Sequence, residues 1–285
     1  MAHTMQGRMS EDACQSCDEW NSRMPESKTI TLFIVGDRFD AFADQTSAVT
    51  VSRFIDRLRA GVYRSTADSN ALVLAEGQGV TAYDWDRIQE ELTRCDSPER
   101  TVIERSPRGR PGNHTETHKH RESNVLIAGL TRHSETSFRA SLRLHNDQEM
   151  QLDHQASHVQ GMVVLEAARQ MYVAVCERYH TCRWPEHRYS HVFDRLETSF
   201  RNFLFPLEAS IDGEVLQADL SDPDLLVFDI EVTFRQAALH AATVRMTGTA
   251  LPSAVMAHKE RRGAVRAVRH ALKRVPAPPE LAVAE

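Results

Sequence analysis

The chain has 285 residues, 41% hydrophobic and 26% charged, enough for one large or two small water-soluble domains with ordinary cores. A formal charge of -6 argues against non-specific nucleic-acid binding by the chain as a whole. No apolar run approaches the ~20 residues that span a bilayer, and the acid-bearing N-terminus lacks an apolar signal core, so no membrane span and a cytoplasmic location are expected.

Residues 1–27 are polar and unpatterned and read as a disordered tail. Cys14 and Cys17 form a lone C-x-x-C there. With five cysteines in all and no second pair, free thiols in a reducing compartment are expected rather than a zinc or redox site.

Residues 28–98 repeat a strand and then a helix. Thr29 to Val35, TITLFIV, has strand length and β-branched content. Thr50 to Leu58 puts Val51, Phe54, Ile55 and Leu58 on one helical face. Ala71 to Ala75 reads as a second strand, and Ala82 to Arg94 as a helix with Trp85, Ile88 and Leu92 in register. This predicts a small α/β module with a parallel pair of strands. At roughly 70 residues such a module is marginal alone, so it should dock on the rest of the chain. Gly77-Gln78-Gly79 lacks both the Lys-Ser/Thr of a phosphate loop and the third glycine of a dinucleotide fingerprint, so it predicts a turn and no nucleotide.

Residues 99–123 are rich in Arg, Pro, Gly and His without an apolar period, and a linker is expected. His114, His118 and His120 stand close together there, but no cysteine or carboxylate geometry accompanies them, so no metal is expected.

From residue 124 the pattern becomes α+β. Strands are expected at Asn124 to Ala128 and Ser137 to Leu144. After the long helix described next come strands at Ser199 to Leu204, Ile211 to Leu216, Leu225 to Phe234 and Leu239 to Leu251, with a turn at Gln236-Ala237-Ala238. Short strands around one buried helix predict a helix wrapped by an antiparallel sheet. Residues 257–285 form a basic tail, in which Val265, Val268, Leu272 and Val275 fit a solvated helix packed by one stripe, or one that meets an acidic carrier protein or a membrane surface.

The helix begins at Gly161, and Met162 to Cys176 is apolar on almost every face, as in a buried helix. Glu166, Arg169 and Gln170 nevertheless share one face of it, at i, i+3 and i+4. Charge in an apolar helix is costly unless paired or used. Asp153, His154 and His158 lie just upstream, so acid, imidazole, glycine and carboxylate converge on one helix N-terminus. Two readings stay open: a core in which Glu166 and Arg169 neutralise each other, or a site. In the second, the first amides of the helix polarise a carbonyl at Gly161. Glu166, its pKa raised by burial, then serves as general base.

The same stretch resembles the hotdog domain of the A-factor biosynthesis family, which makes γ-butyrolactone signal precursors. The matching residues are Asp153-His154, His158-Val159-Gln160-Gly161-Met162 and Glu166-Ala167-Ala168-Arg169-Gln170, with weaker likeness from about Asn124 to Leu251. More loosely it is similar to fatty-acid dehydratase hotdogs, but Gln160 replaces their proline and their histidine would fall near Leu152. The resemblance implies a single hotdog domain over residues 124–256 after the α/β module, and no cofactor. It also implies transfer of a β-ketoacyl group from an acyl-carrier-protein or acyl-CoA thioester to a small hydroxyl acceptor such as glycerone phosphate. On that reading Glu166 activates the hydroxyl and Arg169 meets the phosphate. His158 and Asp153 shape the mouth of the site or share the proton, and Gly161, His154 and Gln170 contribute to substrate binding. Family members usually carry two hotdog units in tandem, and this chain shows one, so a homodimer is expected. Another thioester enzyme and a catalytically silent acyl-binding or partner-binding protein are the alternatives.

Overall fold

The computed structural model describes residues 29–63, 71–95, 101–106, 109–146 and 156–272. The N-terminal stretch with Cys14 and Cys17 lies outside them.

The first unit runs β1 (Ile30–Val35), α1 (Asp40–Ala43), β2 (Val49–Thr50), α2 (Val51–Arg59), β3 (Leu72–Glu76), α3 (Ala82–Arg94) and β4 (Thr101–Glu104). Its sheet has the order β2-β1-β3-β4 with every neighbouring pair parallel. Caps start both longer helices: the Thr50 hydroxyl accepts the Arg53 amide at 3.4 Å, and Thr81 and Asp84 bond each other's backbone amides. The apolar stripes of α2 and α3 close a core of Ile34, Phe54, Ile55, Leu74, Trp85 and Ile88. The stretch expected to be linker therefore begins with a strand. TVIE is four residues long beside Arg and Pro, too short to show a period, and pairing with β3 supplies what its sequence does not.

The second unit runs α4 (His114–Thr117), β5 (Ile127–Arg132), β6 (Ser137–Leu142), α5 (Gly161–Val175), β7 (Tyr189–Phe200), β8 (Ser210–Asp219), β9 (Leu226–Gln236) and β10 (Leu239–Pro252). Its six-stranded antiparallel sheet has the order β5-β6-β8-β9-β10-β7. α5 packs across β5, β6, β8, β9 and β10, with Val163, Ala167, Met171 and Tyr172 buried against strand residues such as Ile211, Phe228 and Val244. This is the expected α+β layout, a long helix on an antiparallel sheet after a small α/β module.

The strand expected at 199–204 instead ends at Phe200 and starts at Tyr189. A register shift opposite Thr247 and Gly248 interrupts its alternation, and its second half is exposed, so period two is lost in the sequence.

β9 and β10 are joined by Ala237-Ala238, both left-handed at φ 48° and 64°. That is the conformation of a two-residue type I′ turn, where a β-carbon is strained and Asn-Gly is preferred. Replacing the pair by Asn-Gly is expected to stabilise the protein by about 1 kcal/mol and to raise Tm by about 2–4 °C in thermal denaturation.

Beyond β10 a helix, α6 (Ser253–Leu272), carries the basic residues. Of the expected packed stripe, Val275 and the Leu272 side chain lie outside what the structure describes, and the other two residues are not packed. Val265 and Val268 are 53% and 59% exposed, and every described side chain from 257 to 271 is exposed.

The two units share a core, since Val35, Phe39, Phe42, Ala43 and Ala48 join the cluster built around α5. Gln78, fully buried, clamps them together. Its side-chain amide donates to Leu142 O at 2.9 Å and Leu207 O at 3.1 Å, and its Oε1 accepts the Leu144 amide at 2.9 Å. The flanking glycines let this turn approach. Gly79 has φ +74°, and a β-carbon on Gly77 would fall 2.6 Å from Val35 Cγ1. The Gly77-Gln78-Gly79 turn is thus a docking element.

Candidate functional site

α5 starts where its apolar pattern does. Gln160 is its N-cap, in extended conformation, and makes no side-chain capping bond. The Val163 and Val164 amides reach Gln160 O at 3.0 and 3.3 Å. Gly161 lines a cavity of about 510 Å³, whose wall continues through His158, Val159, Val164, Phe200, Arg201, Asn202, Phe203, Leu204 and Ala242. The positive end of a fifteen-residue helix borders this space, and its N-cap residue makes no side-chain capping bond to it. A β-carbon at Gly161 would lie 3.2 Å from Phe200 Cζ, so glycine keeps the approach beside that ring clear. His158 lies against Phe203 with ring centroids 4.5 Å apart and ring planes tilted by 40°. The cavity is apolar over most of its wall, with an imidazole, a guanidinium and an amide at polar points, the chemistry that suits an acyl chain with a polar head.

Glu166 lies elsewhere. It is 9% exposed and is absent from the cavity wall. Arg169 grips it with Nε to Oε2 and Nη2 to Oε1, both 2.8 Å. Gln170 donates to Oε1 at 3.0 Å, and Lys119 Nζ lies 2.7 Å from the same oxygen. Burial alone pushes the carboxyl up, but the bonds from Arg169, Lys119 and Gln170 outweigh it and hold Glu166 below the usual glutamate range. The expectation of a base with a raised pKa is corrected on this point: a depressed pKa makes a weak proton acceptor. Arg169 also donates to Thr117 O at 3.2 Å. Gln170 is a backbone pin, taking the Leu126 amide at 2.8 Å and giving to Asn124 O at 2.7 Å.

The expected residues thus divide into two groups. His158 and Gly161 meet at the cavity, whereas Glu166, Arg169 and Gln170 join α5 to residues 117–126. Asp153 and His154 lie outside the described residues. Sequence reasoning missed Lys119, which arrives from the segment read as linker, and Phe200 to Leu204, which were placed inside a strand and instead end β7 and follow it. For Lys119 no signal existed, since its partner is remote in sequence. For the other group the signal was two exposed phenylalanines around Arg201-Asn202.

Residues 113–252 match the model of the A-factor biosynthesis hotdog domain. No curated protein matches the chain. Among solved structures, a conserved protein from Pseudomonas aeruginosa is 17% identical, over 50% of this chain and all of that one, with TM-score 0.34. A thioesterase from Haemophilus influenzae is 10% identical, over 46% of this chain and 81% of that chain, at TM-score 0.31. A hypothetical thioesterase with coenzyme A from Streptococcus pneumoniae is 10% identical, over 44% and 85%, at TM-score 0.31. Among the described residues no helix is long and apolar enough to cross a membrane.

Proposed function

Residues 113–252 of this chain form an A-factor biosynthesis hotdog domain, and from that premise we propose that the protein acts on acyl thioesters. Its reaction on this reading moves a β-ketoacyl group from an acyl-carrier or coenzyme A thioester to a small hydroxyl acceptor such as glycerone phosphate. The observation that carries the proposal is the glycine start of α5 on the wall of an apolar cavity. The acyl chain lies against Val159, Phe200, Phe203 and Leu204. The thioester carbonyl points at the first amides of α5, where developing negative charge on oxygen is stabilised. The acceptor oxygen forms the new C–O bond as the C–S bond breaks. His158, on the cavity wall, takes the hydroxyl proton and returns it to the departing thiolate. Arg201 on the same wall meets an anionic acceptor.

Glu166 and Arg169 serve in this account as a strut. A role for Glu166 as base requires Arg169, Lys119 and Gln170 to release it first.

We further propose a homodimer. β7 has one neighbour in the sheet among the described residues, and Met162, Leu196, Phe200 and Phe203 beside its free edge are 47–68% exposed. A second copy pairing along β7 covers both the edge and the open cavity, without a second tandem domain. Sedimentation should then give twice the chain mass, and a monomer at micromolar concentration contradicts it.

Incubation of purified protein with a β-ketoacyl carrier thioester, with and without glycerone phosphate, tests the reaction. Thiol release that needs the acceptor supports transfer. Release in water alone makes it a thioesterase, and no release leaves an acyl-binding protein.

A further inference from the structure

At the opposite end of α5, outside the machinery above, three side chains converge from parts of the chain far apart in sequence. Glu177 sits in the π turn Cys176–His180 that prolongs the helix. His191 is near the start of β7, and His118 is the left-handed residue (φ 53°) that ends α4. Glu177 Oε1 lies 3.1 Å from His191 Nε2 and 3.3 Å from His118 Nε2, and the three ligand atoms all fall within 4.8 Å of one another. The absence of any carboxylate near the histidine run, expected from sequence, is corrected at His118.

We propose that His118, Glu177 and His191 form a binding site for one divalent transition ion of the zinc type. Two imidazole nitrogens and one carboxylate oxygen are the donor set that zinc takes when a fourth position is left open. Ligand atoms about 2.0–2.2 Å from a tetrahedral ion are about 3.3 Å apart, the spacing already present on two of the three edges. The third edge closes by a turn of the His118 ring, whose side chain is 36% exposed on its loop. His191 is the buried member: its side chain is 2% exposed and packing holds its Nε2 toward Glu177, while its Nδ1 has no hydrogen-bond partner among the described residues. Thr181 donates to the other carboxylate oxygen at 3.1 Å, fixing Glu177 from behind.

Glu177 stands sixteen residues from Gly161, about 24 Å along a helix, so the ion does not reach the acyl cavity. What it fixes is the loop after α4: His118 adjoins Lys119, which grips Glu166, and Thr117, whose carbonyl takes Arg169. The ion would tie α4, α5 and β7 together at one point.

The test is zinc titration of EDTA-treated full-length protein by calorimetry, with cobalt absorption as a second readout. It is run in a Cys14→Ser/Cys17→Ser background so that the tail thiols do not compete. One equivalent bound at micromolar Kd or tighter is expected, with visible cobalt bands and a raised Tm. His118→Ala, at an exposed position, and Glu177→Gln should each weaken binding at least ten-fold. No stoichiometric binding, or binding unchanged in His118→Ala, overturns the proposal and leaves a hydrogen-bonded His-Glu-His cluster. Neither result depends on the acyl-transfer reading.

Discussion

Gln78→Ala is expected to destabilise the protein by about 2–4 kcal/mol, measured by urea denaturation, although the residue lies outside the proposed site. The truncation strips partners from Leu142 O, Leu207 O and the Leu144 amide at a fully buried position. Buried backbone groups left unsatisfied cost about 1–3 kcal/mol each. Leu207 O keeps a long bond from Gln236 at 3.4 Å, which lowers the sum. Gln78→Glu, of the same shape but charged, should be worse, because its second oxygen would face two carbonyls. Loss of less than about 1 kcal/mol would mean that the units are held by apolar burial and by the turn's backbone bonds, Gln78 N–H to Pro206 O and Gly79 N–H to Leu144 O, without need of the side chain. Unfolding in two separate transitions, the α/β module first, would show that this residue is what couples them.

Glu166→Ala is expected to cost about 2–3 kcal/mol. Removing one member of a buried ion pair typically costs about 3–5 kcal/mol. Here Arg169 and Lys119 are 25% and 22% exposed and regain some water, which discounts the figure. The pH dependence carries a sign. The folded pKa of Glu166 lies below its unfolded value, so the unfolded chain binds more protons on acidification. Its contribution is complete above the ordinary glutamate range and is lost as pH falls through the folded pKa. Wild type should therefore lose more stability than Glu166→Ala does as pH falls through and below the ordinary glutamate range. If Glu166→Gln abolishes turnover while stability is kept, the carboxylate is the base after all and the strut reading fails.

The central helix was legible because Gly161 marks its start and no proline or glycine interrupts it. The β9–β10 hairpin was legible because Val227 to Phe234 alternates and both strands have apolar inner faces. β7 was not. Its sequence SHVFDRLETSF carries charge where the strand is exposed at a sheet edge, and its register shifts midway. Buried polar residues fared worst. Gln78 reads as turn chemistry and His191 as part of a polar run, because what gives each its meaning lies dozens of residues away. Within the site, Gly161 and His158 were found from local pattern. Glu166 and Arg169 were found as a pair, but Lys119, which with Arg169 and Gln170 holds that carboxylate ionised, was not.

The claim on which the account rests is that an acyl thioester is held at the amide end of α5, beside Gly161. The direct measurement is kcat/KM for acyl transfer by Gly161→Val, with circular dichroism and Tm as controls. A valine there presses on Phe200 from a β-carbon 3.2 Å away and occupies the carbonyl's approach, while the half-exposed ring can yield without unfolding the helix. The expected result is a loss of about a hundred-fold or more, typical of a lost oxyanion contact, with Tm shifted by a few degrees at most. Wild-type turnover in a folded Gly161→Val protein would place the chemistry elsewhere.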